Sequence, residues 1–111
     1  MRNIDSLKNT SEFKEVYENG SSKANKLLVL YVLKKEGGKK LGISASKKIG
    51  NSVVRHRTAR LIRESYVAVK DRLPDDCRLV AVARPAIAGK KQPEVEEALL
   101  HLCGLHKLIK Q

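Results

Sequence analysis

The sequence is short of several things. It has no tryptophan, one phenylalanine and three tyrosines in 111 residues, so aromatic mass cannot dominate its interior. Its two cysteines, Cys77 and Cys103, are too few for a disulfide framework. Two free thiols in a small basic chain fit a cytoplasmic setting. No apolar run approaches the roughly 18 residues of a membrane-spanning helix. The opening MRNIDSLKNTSEFKE lacks the apolar stretch of a secretion signal. There is no internal repeat and no low-complexity tract. Acidic residues are also scarce: 12 Asp plus Glu stand against 23 Lys plus Arg, for a net charge of +11 at pH 7. Such an excess repels itself in a compact chain and attracts polyanions. Nucleic acid is the first candidate partner and an anionic membrane surface the second. The length suits one domain, expected over 1–111, with residues 1–9 as a polar arm.

The elements follow from spacing. Phe13, Val16 and Tyr17 lie at i, i+3 and i+4, which predicts a short helix to about Asn19, capped by Thr10 or Ser11 and stopped at Gly20. Core packing accounts for Phe13 and Tyr17 on spacing alone. Residues 22–35 hold an unbroken apolar run from Leu27 to Leu33 and read as a strand, in one or two pieces. Gly37-Gly38 supplies positive φ for a hairpin turn into KLGISAS. There Leu41, Ile43 and Ala45 alternate with Gly42, Ser44 and Ser46, and the second face is small enough for something to lie against it. KKIGNS is a loop, and a helix is expected over about 52–71, ended by Leu73-Pro74. A buried strand follows over about 78–83, then a loop. Pro93 begins a last helix, with Glu94, Glu96 and Glu97 in its first turn and Lys107 and Lys110 toward its end. Its apolar stripe is Val95, Leu99, Leu102 and Leu105 or His106. The order is α-β-β-β-α-β-α. The fold class is α+β: a small mixed four-stranded sheet with three helices, with strand–helix–strand 40–83 giving a parallel neighbour.

One segment carries a chemical signal. Residues 40–63 contain Lys40, Lys47, Lys48, Arg55, Arg57, Arg60 and Arg63 and no acid. On a helical wheel with Arg55 at zero, Arg63, Arg60 and Arg57 fall at about 80°, 140° and 200°. Val54, Thr58, Leu61, Ile62, Ser65 and Val69 fall between about 240° and 340°. The expected helix therefore turns an apolar stripe to the sheet and an arginine fan to solvent. A merely solvated face would mix signs through Glu–Lys pairs. Arginine offers a planar fork that grips two phosphate oxygens and stacks on bases, so the fan suits a polyanion.

At LGISASKKIGNSVVRHRTARLIRE the sequence resembles the bacterial ribonuclease P protein subunit. Ser46-Lys47-Lys48, Gly50-Asn51, Arg55-His56-Arg57, Arg60 and Arg63-Glu64 match that family's pattern. His56 stands where Asn is usual, and Ala59 where a basic residue is common. Further matches are Phe13-Lys14-Glu15-Val16-Tyr17, Asn19-Gly20, Ala24-Asn25, Tyr31, Val82-Ala83-Arg84-Pro85 and Leu99-Leu100-His101-Leu102, nearly the whole chain in order. The resemblance implies a sheet and helices like those of certain ribosomal proteins, with a left-handed βαβ crossover. It implies that the basic helix and its preceding loop bind the catalytic RNA of ribonuclease P through Lys47, Lys48, Asn51, Arg55, His56, Arg57, Arg60 and Arg63. It implies that a cleft with Phe13, Tyr17, Tyr31, Lys40 and Ser44 binds the single-stranded 5′ leader of precursor tRNA. Catalysis would belong to the RNA, using magnesium, with no catalytic residue and no metal site in the protein. The partners would be the catalytic RNA and precursor tRNA, with no membrane and no protein partner required.

Other readings are weaker. His101, Cys103 and His106 share a helix, but the two histidines lie about 140° apart and do not converge on one zinc ion. The stretch from Gly42 to Lys48 lacks the glycine pattern of a phosphate-cradling loop. A membrane surface needs large exposed apolar residues opposite the basic face, and the strands need those residues. The alternative function is a ribosomal-type structural RNA-binding protein, in which the aromatics would serve the core only.

Overall fold

Along 28–34 the side chains alternate between two sheet faces, and both faces are covered. A computed structural model describes residues 6–109. Its elements are helix α1 (Thr10–Asn19), strands β1 (Ser21–Ala24), β2 (Leu28–Lys34) and β3 (Lys40–Ser44), helix α2 (Ser52–Val69), strand β4 (Cys77–Ala83) and helix α3 (Gln92–Leu105). Short 3-10 turns follow α2 and β4. The order and the α+β class are those the sequence predicts, and the strand region at 22–35 is in two pieces.

The sheet order is β1-β2-β4-β3. β2 runs antiparallel to both neighbours, and β3 runs parallel to β4 with Gly42 beside Val80 and Ser44 beside Val82. The expected hairpin at Gly37-Gly38 does not form, because β4 lies between β2 and β3. Both glycines do take positive φ, 108° and 96°. They make a wide turn tied by Arg78, whose guanidinium donates to the carbonyls of Gly38 and Glu36. A glycine pair reports a tight turn, not which strand pairs with which. β4, with a neighbour on each side, is the most thoroughly buried strand, buried at every position except Val82.

Leu28, Leu30, Val32, Leu79 and Ala81 face α2 and α3, where Ile62, Tyr66, Val69, Val95, Leu99 and Leu102 close the main core. Each such aliphatic side chain contributes about 1.5–3 kcal/mol by leaving water. The opposite face carries Val80, Val82, Tyr31 and Leu33 and packs against Leu7, Phe13 and Val16. α1 is the one described helix on the second face, with Leu7 beside it.

Three local expectations are corrected. The cap of α1 is Asn9, not Thr10 or Ser11: its side chain accepts from the Glu12 amide at 3.0 Å, and Glu12 accepts in return from the Asn9 amide at 3.3 Å. The same Asn9 oxygen receives the Ser11 hydroxyl at 2.7 Å. The arm expected at 1–9 is not wholly an arm. Ser6 bridges to Leu41 of β3, Leu7 is buried, and the Leu7 amide donates to the Leu41 carbonyl at 3.1 Å; residues 1–5 lie outside the described residues. Pro93 is the second residue of α3, after Gln92, and the buried stripe continues through half-buried His106 while Leu105 is exposed. Lys110 lies outside the described residues.

Candidate nucleic-acid interfaces

The loop before α2 is pinned by its one apolar residue. Ile49 is buried, and its amide donates to the Ser46 carbonyl at 3.1 Å, leaving Lys47 and Lys48 exposed on either side of the turn. Asn51 then caps α2, its side-chain oxygen accepting from the Val54 amide at 3.0 Å. Its oxygen is thus committed to the helix start.

The arginines do not form one exposed fan. Arg57 and Arg60 are exposed, with His56 and Val53 beside them, but Arg55 and Arg63 are half-buried. Arg55 Nε is buried with no hydrogen-bond partner. Tyr66, also buried, falls at about 20° on the wheel, beyond Ile62 at about 340°, so the buried arc runs through the Arg55 position at zero. The aliphatic and small residues span only part of that arc, and Tyr66 completes it. The arginines therefore sort into two rows. Arg55 and Arg63 lean toward β3, where each borders a small hollow that includes Ile43. Arg57 and Arg60 stand on the crest. Arg60 pairs with Glu64 at 3.3 Å, and Arg57 reaches the Lys90 carbonyl at 3.4 Å.

The second surface lies on the α1 side of the sheet. Lys40, Gly42 and Ser44 share that face, as their alternation with Leu41 and Ile43 predicts. The room expected over this face is partly taken. A Cβ on Gly42 would fall 2.7 Å from two ring carbons of Phe13, so Phe13 occupies the space that glycine leaves. Beyond it, Phe13 and Tyr17 have ring centroids 6.4 Å apart. Tyr17 meets Tyr31 of β2 edge to face at 4.8 Å. Tyr17 is 39% exposed, and Phe13, Tyr31 and Ser44 are half-buried. Half-buried Val29 and Val82, neighbours across β2 and β4, extend this floor; the sequence reading passed over both. Lys40 is engaged by Glu12 at 3.7 Å. The Lys8 amide, followed by the Asn9 amide and Lys40, holds the Glu12 carboxyl below its ordinary range.

The weak zinc reading finds no geometry. His101 Nδ1 meets Asn25 at 3.1 Å, and His106 Nε2 meets the Leu30 carbonyl at 2.7 Å. Burial pushes the Cys103 thiol up to about 11. Among the described residues no group of three or more His, Cys, Asp or Glu could hold a metal ion. No described helix is long and apolar enough to cross a membrane.

Comparison with known proteins points one way. The family model for ribonuclease P matches residues 1–107. The ribonuclease P protein component of Lachnoclostridium phytofermentans is 53% identical over 106 residues, covering 95% of this chain and 91% of that one. The solved RNase P protein of Staphylococcus aureus superposes with a TM-score of 0.85 at 28% identity, covering 95% of this chain and 97% of that one. A solved mutant of that Staphylococcus protein, described as defective in mRNA degradation activity, is similar at 29% identity and a TM-score of 0.85, covering 94% of this chain and 89% of that one.

Proposed function

The chain belongs to the ribonuclease P protein family, and from that premise we propose that it carries two RNA-binding surfaces with separate tasks. It is the protein component of a ribonucleoprotein endoribonuclease that processes tRNA. In our reading, α2 and the loop before it hold the catalytic RNA: Lys47, Lys48, Arg57 and Arg60 meet phosphates, and Asn51, Arg55, His56 and Arg63 set or extend that surface. The cleft beside α1 holds the 5′ leader of precursor tRNA, with Phe13, Tyr17 and Tyr31 offering rings to unpaired bases and Lys40 and Ser44 at the strand edge.

The observation that carries this reading is the exposed ring of Tyr17 standing against Tyr31 on the sheet face opposite α2. Stacking tolerates any base, which suits a leader that differs from one precursor to the next. A ribosomal-type structural role would account for the basic helix and for the packing of this ring on Tyr31, but not for the part of the ring left open to solvent. Hydrolysis needs a metal-held hydroxide or a poised acid–base pair, so magnesium chemistry is assigned to the RNA and none to a side chain here. The protein acts by holding substrate and by offsetting phosphate repulsion between two RNAs. The setting is the cytoplasm, with no membrane and no protein partner needed. The reading is tested on the reconstituted holoenzyme by comparing affinity for leader-bearing precursor with that for mature tRNA. A cleft that binds leader makes the first tighter, and Tyr17→Ala narrows the difference.

A further inference from the structure

Gly89, Lys90 and Lys91 connect the second 3-10 turn to α3, far in sequence from the arginine helix. In space they adjoin it: Arg57 Nη2 lies 3.4 Å from the Lys90 carbonyl. Gly89 turns with φ of 85°, and a Cβ there would meet nothing within 4 Å, so the turn projects into open space. Lys91 is exposed and has no ion pair among the described residues. Lys90 is half-buried, pairs with Glu94 at 3.8 Å and borders a hollow shared with Glu94, Glu97 and His101.

Both lysines stand where α3 begins. A helix start carries partial positive charge and favours anions, so two ammonium groups there work against local stability. Glu94 relieves part of this by accepting the Lys91 amide at 3.0 Å. A local rule broken on an exposed turn, beside an exposed arginine, marks a surface kept for binding.

We propose that Lys90 and Lys91 form a third element of the surface that holds the catalytic RNA, gripping phosphates next to those met by Arg57. This rests on the assignment of α2 to that RNA and extends its footprint across the β4–α3 turn. The ligand chemistry is a sugar-phosphate backbone, read through charge.

The test uses the full chain and the catalytic RNA, with affinity measured across a salt series. Lys90→Ala/Lys91→Ala is compared with Arg57→Ala/Arg60→Ala. The lysine pair lowers the log–log salt slope by between about 0.7 and 0.9 per lysine, and replacement of both by arginine restores it. Thermal melts accompany the binding data. The lysine variant melts no lower than the parent, because it removes cations from a helix start. An unchanged slope in the lysine variant overturns the proposal. If the arginine variant still lowers the slope in that case, the assignment of α2 stands without it. An unchanged slope in the arginine variant removes the α2 assignment itself.

Discussion

Tyr17 on α1 and Tyr31 on β2 meet at 80° with ring centroids 4.8 Å apart, so the edge of one ring rests on the face of the other. This contact fixes the separation of helix and sheet while leaving Tyr17 39% exposed. An edge-to-face pair is worth about 0.5–1.5 kcal/mol beyond its buried area. Structural support and an available stacking surface are thus combined in one side chain.

Tyr17→Ala should weaken precursor binding more than mature tRNA binding, by the equivalent of about 1–3 kcal/mol if one base stacks there. Phe13→Ala should do the same but also lower stability, by about 2–4 kcal/mol. Equilibrium binding on holoenzymes, with a melt of each variant, separates the two effects. Equal losses for both tRNAs in folded Tyr17→Ala would end the leader assignment for this residue.

Gly42→Ala should destabilise the protein by about 1–3 kcal/mol, because its Cβ enters the space of the Phe13 ring. Phe13→Ala empties that space, so the double variant should be more stable than the summed single effects predict. Denaturant melts of the four proteins in the cycle give the coupling. Strict additivity would show that Phe13 does not fill the place over Gly42.

Affinity for the catalytic RNA should fall steeply with salt, and Arg57→Ala or Arg60→Ala should each flatten the slope by about one unit. Glu64→Gln should tighten binding modestly by releasing Arg60 from its 3.3 Å partner. Arg55→Ala should behave differently, lowering the melting temperature as well, since its stem packs within the buried arc. A salt series and a melt for each variant check all three expectations.

The isolated chain with magnesium should leave precursor tRNA intact, and added catalytic RNA should restore cleavage at the 5′ leader. High magnesium or monovalent salt should partly replace the protein, because counterions screen the same repulsion. The mRNA degradation named for the Staphylococcus relative makes a second substrate useful. Cleavage of an unstructured mRNA fragment by nuclease-free protein would place hydrolytic chemistry in the chain itself.

Stability should fall on both sides of neutrality. Burial holds the His106 imidazole below its usual 6.5, so the unfolded chain takes up the proton first. That stability is complete above 6.5 and is lost as pH falls through the lower folded value. Burial raises both thiols above 9.0, Cys103 to about 11, so the unfolded chain loses those protons first and stability falls as pH rises past 9.0. Melts from pH 5 to pH 10.5 trace both limbs, and His106→Gln should flatten the acidic one.

The element order was legible because each element announces itself locally: the 3.6-residue spacing of Phe13, Val16 and Tyr17, the apolar run at 27–33, and Pro93 followed by glutamates. What was not legible depended on distant chain segments. Gly37-Gly38 looks the same whether its flanking strands pair with each other or with β4. Leu7 looks like a residue of a polar arm until β3 supplies a neighbour. The site divides the same way. The basic residue types were visible in one stretch, whereas the half-burial of Arg55 required Tyr66 to be packed, and the place of Lys90 beside Arg57 spans 33 residues of sequence. Gly42 was visible as small, but the ring that fills its space comes from another element.

The central position of β4 has a consequence for synthesis. β2 and β3 emerge early, yet neither has its full partner until residues 77–83 arrive between them. A nascent chain that ends after α2 carries unpaired strand edges with Leu28, Leu30 and Leu41 uncovered, the kind of surface that recruits other chains. Pairings so distant in sequence close slowly. Fragments cut anywhere before Cys77 should therefore aggregate instead of folding in part. Neither half of the chain should fold independently, and RNA binding should begin only after β4 has emerged.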